Sequence, residues 1–231
     1  MILTPFMKII INKVWPSGHF LLYLSIMKTV MINNFDHIRN LLKFEKDYFY
    51  FIQIIQRKKE NPELGSNNRV IRSYNISSLE KFDKNKDEII TLCETFNARA
   101  YIHLNRRKWS KIALECLRHN AELIANEQYD GIKSSFETII GHNNCEPRES
   151  KTWIIDIDMN DLEVVNKIER IINSIEPIDR TVTKLMYTIP TKNGFHMITR
   201  PFNRAEFAKY MQLQGDVPDI HTDNPTILYT I

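Results

Sequence analysis

Apolar positions change spacing several times along the first part of the chain, and each change marks a predicted element. Apolar residues recur every three or four positions over residues 34–59, which predicts a helix. They alternate over 69–76, which predicts a strand. Residues 77–97 begin with a Ser capping signal and continue with helical spacing. The alternation returns over 98–104, and the helical spacing returns over 109–125.

The last third of the chain shows the same two spacings in a tighter order. Alternation over 153–158 predicts a strand, and helical spacing over 161–175 predicts a crossover helix. Two alternating runs within 183–199 flank "TKNG", which predicts a hairpin. Residues 203–214 carry a capping-box pattern and predict a short helix. A final strand is predicted over 226–231.

This order of elements predicts an α+β fold. We expect three parts: an uncertain N-terminal segment over residues 1–33, an N-terminal αβ module over 34–150, and a second module over 151–231. The first part contains an apolar run, Phe20 to Met27, that is interrupted upstream and is too short to span a bilayer. We expect that translation begins at Met27 or Met31, or that the segment is a loosely attached N-terminal strand, rather than a signal sequence for export.

Composition limits the class of protein without defining its function. Of the 231 residues, 43% are hydrophobic and 26% are charged, which is ordinary for a folded soluble domain. The net charge of +3 permits nucleic-acid binding without arguing for it. The three cysteines, Cys93, Cys116 and Cys145, form neither a zinc motif nor a disulfide framework. We therefore expect a cytoplasmic protein with no membrane partner.

The stretch "WIIDID" places two carboxylates one residue apart in an apolar strand. Side chains two apart in a strand share a face, so Asp156 and Asp158 should project together, away from Ile155 and Ile157. Adjacent carboxylates repel one another, and a hard cation such as Mg²⁺ or Mn²⁺ is the simplest partner. The alternative is a pair of exposed aspartates that stabilises the next helix N-terminus.

Two other stretches could bind phosphate. In "TKNGFHMITR", His196 begins the returning hairpin strand on the same face as Arg200, and it could donate to a phosphate oxygen or be a partly buried structural histidine. In "NRRKWSK", basic residues crowd the predicted start of a helix, which already favours anions. They could equally be solvated surface side chains. These residues are Arg106, Arg107, Lys108 and Lys111.

The stretches "AYIHLNRR", "WIIDID" and "TKNGFH", in this order, resemble the archaeo-eukaryotic primase superfamily, particularly the primase-polymerases of phages and plasmids. The resemblance covers about residues 69 to 229. The family carries a third acidic motif, and Asp219 is the preferred match, with Asp223 next and Asp216 also nearby. The family usually has a basic residue further downstream, whereas "NPTILYTI" contains none. An upstream arginine could substitute for it, the nucleotide site could be weakened, or the module could work within a larger assembly.

The resemblance implies an RRM-like catalytic module packed against the N-terminal αβ module, with the site between them. It implies that Asp156, Asp158 and Asp219 coordinate two Mg²⁺ or Mn²⁺ ions, with Asp223 as a substitute. It also implies that His196 contacts the phosphates of the incoming nucleotide. The nucleotide- and nucleic-acid-binding residues implied are Arg106, Arg107, Lys111, Lys192 and Arg200.

The reaction implied is metal-dependent, template-directed nucleotidyl transfer by a DNA primase or polymerase in phage or mobile-element replication. The implied partners are a DNA template, nucleoside triphosphates and a separate replicative helicase, in the cytoplasm of the host cell. Two alternatives use the same residues: a non-catalytic nucleic-acid-binding accessory protein, and a metal-dependent nuclease.

Overall fold

The fold is known from a computed structural model. It describes residues 31–142, 145–147, 150–178, 181–213, 217–223 and 225–231. Residues 1–30, which carry most of the uncertain N-terminal segment, lie outside the described residues. Residues 31–231 form one compact unit.

The first sheet is antiparallel and contains five strands, in the order β1-β9-β4-β2-β3. Its strands come from both ends of the chain: β1 (Ile32–Asn33), β2 (Tyr48–Gln56), β3 (Arg69–Ile76), β4 (Arg99–Lys108) and β9 (Thr226–Thr230). The last strand of the chain therefore belongs to the first sheet, so the sheets do not follow the expected division near residue 150.

The second sheet is antiparallel and contains four strands, in the order β6-β7-β5-β8. Its strands are β5 (Trp153–Ile157), β6 (Leu185–Pro190), β7 (Phe195–Thr199) and β8 (Asp219–His221). Two helices connect them, α5 (Leu162–Ser174) after β5 and α6 (Arg204–Gln212) after β7. The structure is α+β, as predicted, while the finer RRM-like arrangement stays a prediction.

The other helices of the described residues precede β5: α1 (Phe35–Arg39), α2 (Leu79–Phe96), α3 (Trp109–Ala125) and α4 (Ser135–His142). Short 3-10 helices occur at Pro62–Leu64 and Tyr129–Ser134. Two predicted caps are confirmed. The Ser78 hydroxyl accepts from the Lys81 amide at 3.2 Å, and the Asn203 side chain accepts from the Glu206 amide at 3.2 Å.

The predicted helix over 34–59 is wrong for most of its length. Only α1 is helical there, and "YFYFIQIIQ" forms β2, the strand that pairs with both β3 and β4. A central strand buried on both faces is apolar at nearly every position, so helical spacings occur in it by default. The prediction missed the enrichment in aromatic and β-branched residues that favours a strand.

The two sheets share one core. The largest cluster of buried side chains includes Ile52 and Ile102 from the first sheet and Ile154 and Ile198 from the second. The other face of the second sheet packs Ile155 against its two helices, in a separate cluster. Asp156 points to the same face as Ile154, so the Asp156 side chain faces the first sheet rather than the helices. No helix in the described part of the chain is long and apolar enough to cross a membrane.

Candidate active-site cleft

Three residues from the predicted motifs form one row across the second sheet. Asp156 on β5 is the register partner of His196 on β7 and of Asp219 on β8. Directly opposed residues in adjacent strands project from the same face of a sheet. The motifs are 40 and 63 residues from Asp156 in sequence, and strand pairing brings them side by side.

His196 links Asp156 to the first sheet. Its Nε2 lies 3.4 Å from Oδ1 of Asp156, and its Nδ1 lies 2.9 Å from Oγ1 of Thr226 on β9. The hydrogen bond from His196 lowers the pKa of Asp156 below its usual value, and the nearby His196 and His221 rings add to this against the effect of burial. Asp156 is therefore a carboxylate at neutral pH.

Gly194 explains why the hairpin motif needs a glycine at this position. A Cβ added to Gly194 would lie 1.9 Å from the carbonyl oxygen of Ile157 and 2.8 Å from the amide nitrogen of Met159. The hairpin backbone thus packs directly against the backbone that carries Asp158. The glycine is required by this close approach, which allows the turn before His196 to sit beside the end of β5.

Asp156 and His196 line a cleft of about 540 Å³ between the two sheets. Asp156, Asp158, His196 and His221 contribute from the second sheet and its loops. The first sheet contributes Tyr101 and apolar side chains. Four cations also line the cleft: Arg57, Lys59, Arg99 and Lys192. A cleft that combines carboxylates, imidazoles and several cations suits a phosphate-bearing ligand held near a cation.

Sequence reasoning predicted only Lys192 among these four cations. Arg57 and Lys59 fall at the end of the helix predicted over 34–59, whereas they follow β2 and line the cleft. Arg99 begins β4 and is bonded through both Nε and Nη2 to the carboxylate of Glu60. Only the strand pairing of β2 with β4 shows that these residues share one wall.

The three predicted metal ligands line a single hollow next to the cleft. It has a volume of about 410 Å³ and contains Asp156, Asp158 and Asp219. Carboxylate oxygens are the ligands that Mg²⁺ and Mn²⁺ prefer, so the donor chemistry fits a hard cation. Among the described residues, no group of three or more His, Cys, Asp or Glu side chains is arranged to hold a metal ion. Asp158 and Asp219 are exposed, whereas Asp156 is partly buried.

The structure corrects the expected position of Arg106 and Arg107. Both lie on β4 rather than at a helix start, and both side chains are buried. Arg106 bonds both carboxylate oxygens of Glu146, at 2.9 and 2.7 Å. Arg107 bonds both oxygens of Asp223, at 3.1 and 3.0 Å. Neither arginine lines the cleft, and their donors are used inside the protein.

The other predicted residues are separated from the cleft. Asp223, the substitute metal ligand, is held by Arg107 and by Asn105, so Asp219 is the third carboxylate that the fold supplies. Lys111 is exposed on α3 and lines neither the cleft nor the neighbouring hollow. Arg200 follows β7 and lines a separate hollow. Asp216 lies outside the described residues.

A polar network connects β4 with Thr222 and Asp223, which lie between β8 and β9. His103 Nδ1 lies 3.0 Å from the Asp223 carbonyl oxygen and 3.1 Å from Nη2 of Arg107. Burial, together with the Arg107 charge, lowers the pKa of His103 to about 3. Asn105 donates to the carbonyl oxygens of Thr152 and Thr222, at 2.9 and 3.1 Å. The network thereby fixes the segments that enter β5 and β9.

Comparison of the chain with family models, curated proteins and solved structures finds no match.

Proposed function

We propose that this protein is a metal-dependent nucleotidyltransferase of the primase-polymerase type, acting on a nucleic-acid template. The observation that carries the proposal is the row formed by His196, Asp156 and Asp219. Asp156 and His196 line a cleft rimmed with cations, and Asp219 lines the neighbouring hollow together with Asp156. Strand pairing aligns all three residues, although they were chosen from sequence patterns alone.

The topology of the second sheet supports the same proposal. Its elements follow the order β-α-β-β-α-β, and its first strand, β5, lies between the third and the fourth. This is the element order of the ferredoxin-like split motif, the order that an RRM-like catalytic module would require. The acidic motif lies on β5, a central strand, where its neighbours on both sides contribute site residues.

The residues of the cleft suggest a division of roles. Arg57, Lys59 and Lys192 would attract and orient the triphosphate through charge-assisted hydrogen bonds. They would also fill the role of the basic residue that the sequence lacks downstream of Asp219.

His196 and the three aspartates would act at the second sheet, on the phosphates of the nucleotide and on the cation. His196 would donate from Nε2 to a phosphate oxygen at the edge of the sheet, in exchange for its contact with Asp156. Asp156, Asp158 and Asp219 would hold a divalent cation, which supplies charge stabilisation when bound.

The proposed partners follow from this activity. They are a nucleic-acid template, with DNA as the first choice, nucleoside triphosphates and a separate replicative helicase. A phage or mobile-element replication system in a host cytoplasm is the proposed setting.

The test is incorporation of labelled nucleotides on a single-stranded DNA template with Mg²⁺ or Mn²⁺ present. Asp156→Asn should abolish incorporation while leaving the unfolding midpoint nearly unchanged. Asp130→Asn is the matched control, because Asp130 is exposed and lines neither the cleft nor the neighbouring hollow that contains Asp156, Asp158 and Asp219. We expect the control to retain full activity.

The outcomes separate the proposal from its two alternatives. Synthesis lost only in the Asp156 variant supports a nucleotidyltransferase. Metal-dependent shortening of the template would identify a nuclease instead. Template binding without synthesis or cleavage, under both metals and with both ribo- and deoxyribonucleotides, would leave a non-catalytic nucleic-acid-binding protein.

A further inference from the structure

A separate hollow lies at the opposite end of β5 from the carboxylates. It has a volume of about 970 Å³, and we call it the aromatic hollow. Its wall includes Lys151, Trp153, Glu176, Arg200 and Phe202. Trp153 precedes Asp156 by three residues, which corresponds to about 10 Å along a strand. Trp153 shares the helix-facing side of β5 with Ile155, whereas Asp156 faces the first sheet, so the aromatic hollow and the cleft are lined by different residues on opposite faces of β5.

The aromatic side chains of this hollow are held in place from behind. Phe202 is buried and packs against Phe207 of α6, with ring centroids 5.3 Å apart. Trp153 is partly exposed and meets Phe202 edge-on, at 5.3 Å and an interplanar angle of 67°. An indole that is fixed by a buried neighbour and still reaches the surface is a rigid platform for stacking a planar ring.

The charge of the hollow favours an anion. Lys151 precedes β5 and Arg200 follows β7, so two different segments place a cation at the same rim. No ion pair of either side chain is found among the described residues. The Arg200 backbone is fixed by its amide, which donates to the Lys184 carbonyl oxygen at 2.8 Å. The one carboxylate of the wall, Glu176, accepts from the Ile178 amide at 3.1 Å.

We propose that the aromatic hollow binds a single-stranded segment of nucleic acid. One base would stack on Trp153, and the adjoining phosphates would contact Arg200 and Lys151. An aromatic platform beside cations is the combination by which proteins bind single strands without reading their sequence. The choice of nucleic acid over other polyanions rests on the proposed function. The binding itself requires no metal and no chemistry in the cleft.

The experiment uses the fluorescence of Trp153 as a local probe. Phe replaces the other two tryptophans, Trp15 and Trp109, in the 231-residue chain. Oligothymidylate is then titrated in the presence of EDTA, which prevents metal-dependent synthesis. We expect quenching of the Trp153 emission, with a dissociation constant that rises steeply with salt concentration.

Two variants in this background test the residues of the hollow. Arg200→Glu combined with Lys151→Glu should raise the dissociation constant at least tenfold. Lys209→Glu combined with Lys167→Glu is the charge-matched control, because both lysines are exposed, on α6 and α5, and do not line the hollow. It should change the constant less than twofold. Circular dichroism of each variant verifies that the fold is retained.

The proposal and the proposed function can fail separately. Equal quenching in the Trp153-only protein, the Arg200 and Lys151 variant and the control variant would overturn the aromatic hollow as a binding site. So would the absence of any quenching. Equal quenching by polyglutamate would show that the hollow binds polyanions in general, which would overturn its assignment to nucleic acid. Asp156→Asn should leave the quenching intact, so loss of synthesis in that variant tests the cleft alone. If Trp109→Phe unfolds the chain, anisotropy of a labelled oligothymidylate with the Arg200 and Lys151 variants replaces the quenching assay.

Discussion

The Nδ1 atom of His196 lies 2.9 Å from the hydroxyl oxygen of Thr226, a fully buried side chain on the last strand of the other sheet. On its other side, His196 faces Asp156, which is ionised at neutral pH and can only accept. The Nε2 atom must therefore carry the proton of a neutral ring, and Nδ1 must accept from the Thr226 hydroxyl. Thr226 thus fixes both the orientation and the tautomer of His196.

Replacing Thr226 with Val should disturb this tautomer. Val keeps the shape of the side chain but removes the hydroxyl donor, which leaves Nδ1 without its partner at a cost of about 1–3 kcal/mol in stability. The ring nitrogen shifts of ¹⁵N-histidine-labelled protein at neutral pH report the tautomer directly. We expect Nε2–H in the wild-type protein and in Thr226→Ser, and an altered pattern in Thr226→Val. Identical spectra for the Val and Ser variants would contradict the assignment.

Gly194→Ala should destabilise the protein and disrupt the cleft. The new Cβ would meet the Ile157 carbonyl oxygen at 1.9 Å, and backbone rather than a flexible side chain would have to move. We expect a loss of about 2–4 kcal/mol, within the range for overpacking and strain. Gly141→Ala is the control, because it lies in α4 with no atom within 4 Å of its added Cβ. It should be neutral or stabilise by up to about 1 kcal/mol. Urea unfolding measures both, and equal midpoints would exclude the close approach.

Arg107→Glu should be strongly destabilising, in contrast to the mild effect expected if Arg107 began a helix. Arg107 is fully buried and pairs with Asp223, so the substitution buries two carboxylates against each other. Breaking a buried pair costs about 3–5 kcal/mol, and the added repulsion increases this. Lys111→Glu, an exposed change at the start of α3, should stay within about 0.5 kcal/mol of wild type. Chemical denaturation of both variants distinguishes a buried Arg107 on β4 from an exposed Arg107 at a helix start. A mild effect of Arg107→Glu would disprove the buried pair.

His103 should make the protein lose stability as the pH falls. Its pKa is about 3 in the folded state and about 6.5 in the unfolded chain. Between these values the unfolded state binds more protons, so the free energy of unfolding decreases as the pH is lowered from about 6.5 toward 3. At pH 4, protonation of His103 in the unfolded state should lower the free energy of unfolding by about 3 kcal/mol relative to neutral pH. His103→Gln should show a shallower decline between pH 7 and 4 in urea unfolding, whatever its stability at pH 7. Parallel pH profiles would show that His103 does not titrate this way.

The local sequence pattern determined much of the second half of the fold. Alternation gave β5 and the two hairpin strands, while helical spacing and the Asn203 cap gave α5 and α6. These signals work because each element buries one face, so its apolar period can be read from the chain. The pattern failed at β2, where both faces are buried and no single period remains.

The two central residues of the candidate site, Asp156 and His196, could also be chosen from sequence, because each stands out against an apolar strand. Tertiary structure alone decided what surrounds them. Pairing of β5 with β8 placed Asp219, which the sequence already favoured, beside Asp156, while the buried Arg107 pairs with Asp223 away from the cleft. The return of β9 to the first sheet supplied Thr226. These relationships join residues 30 to more than 100 positions apart, and local periodicity carries no information about which strands will meet or which charges will pair.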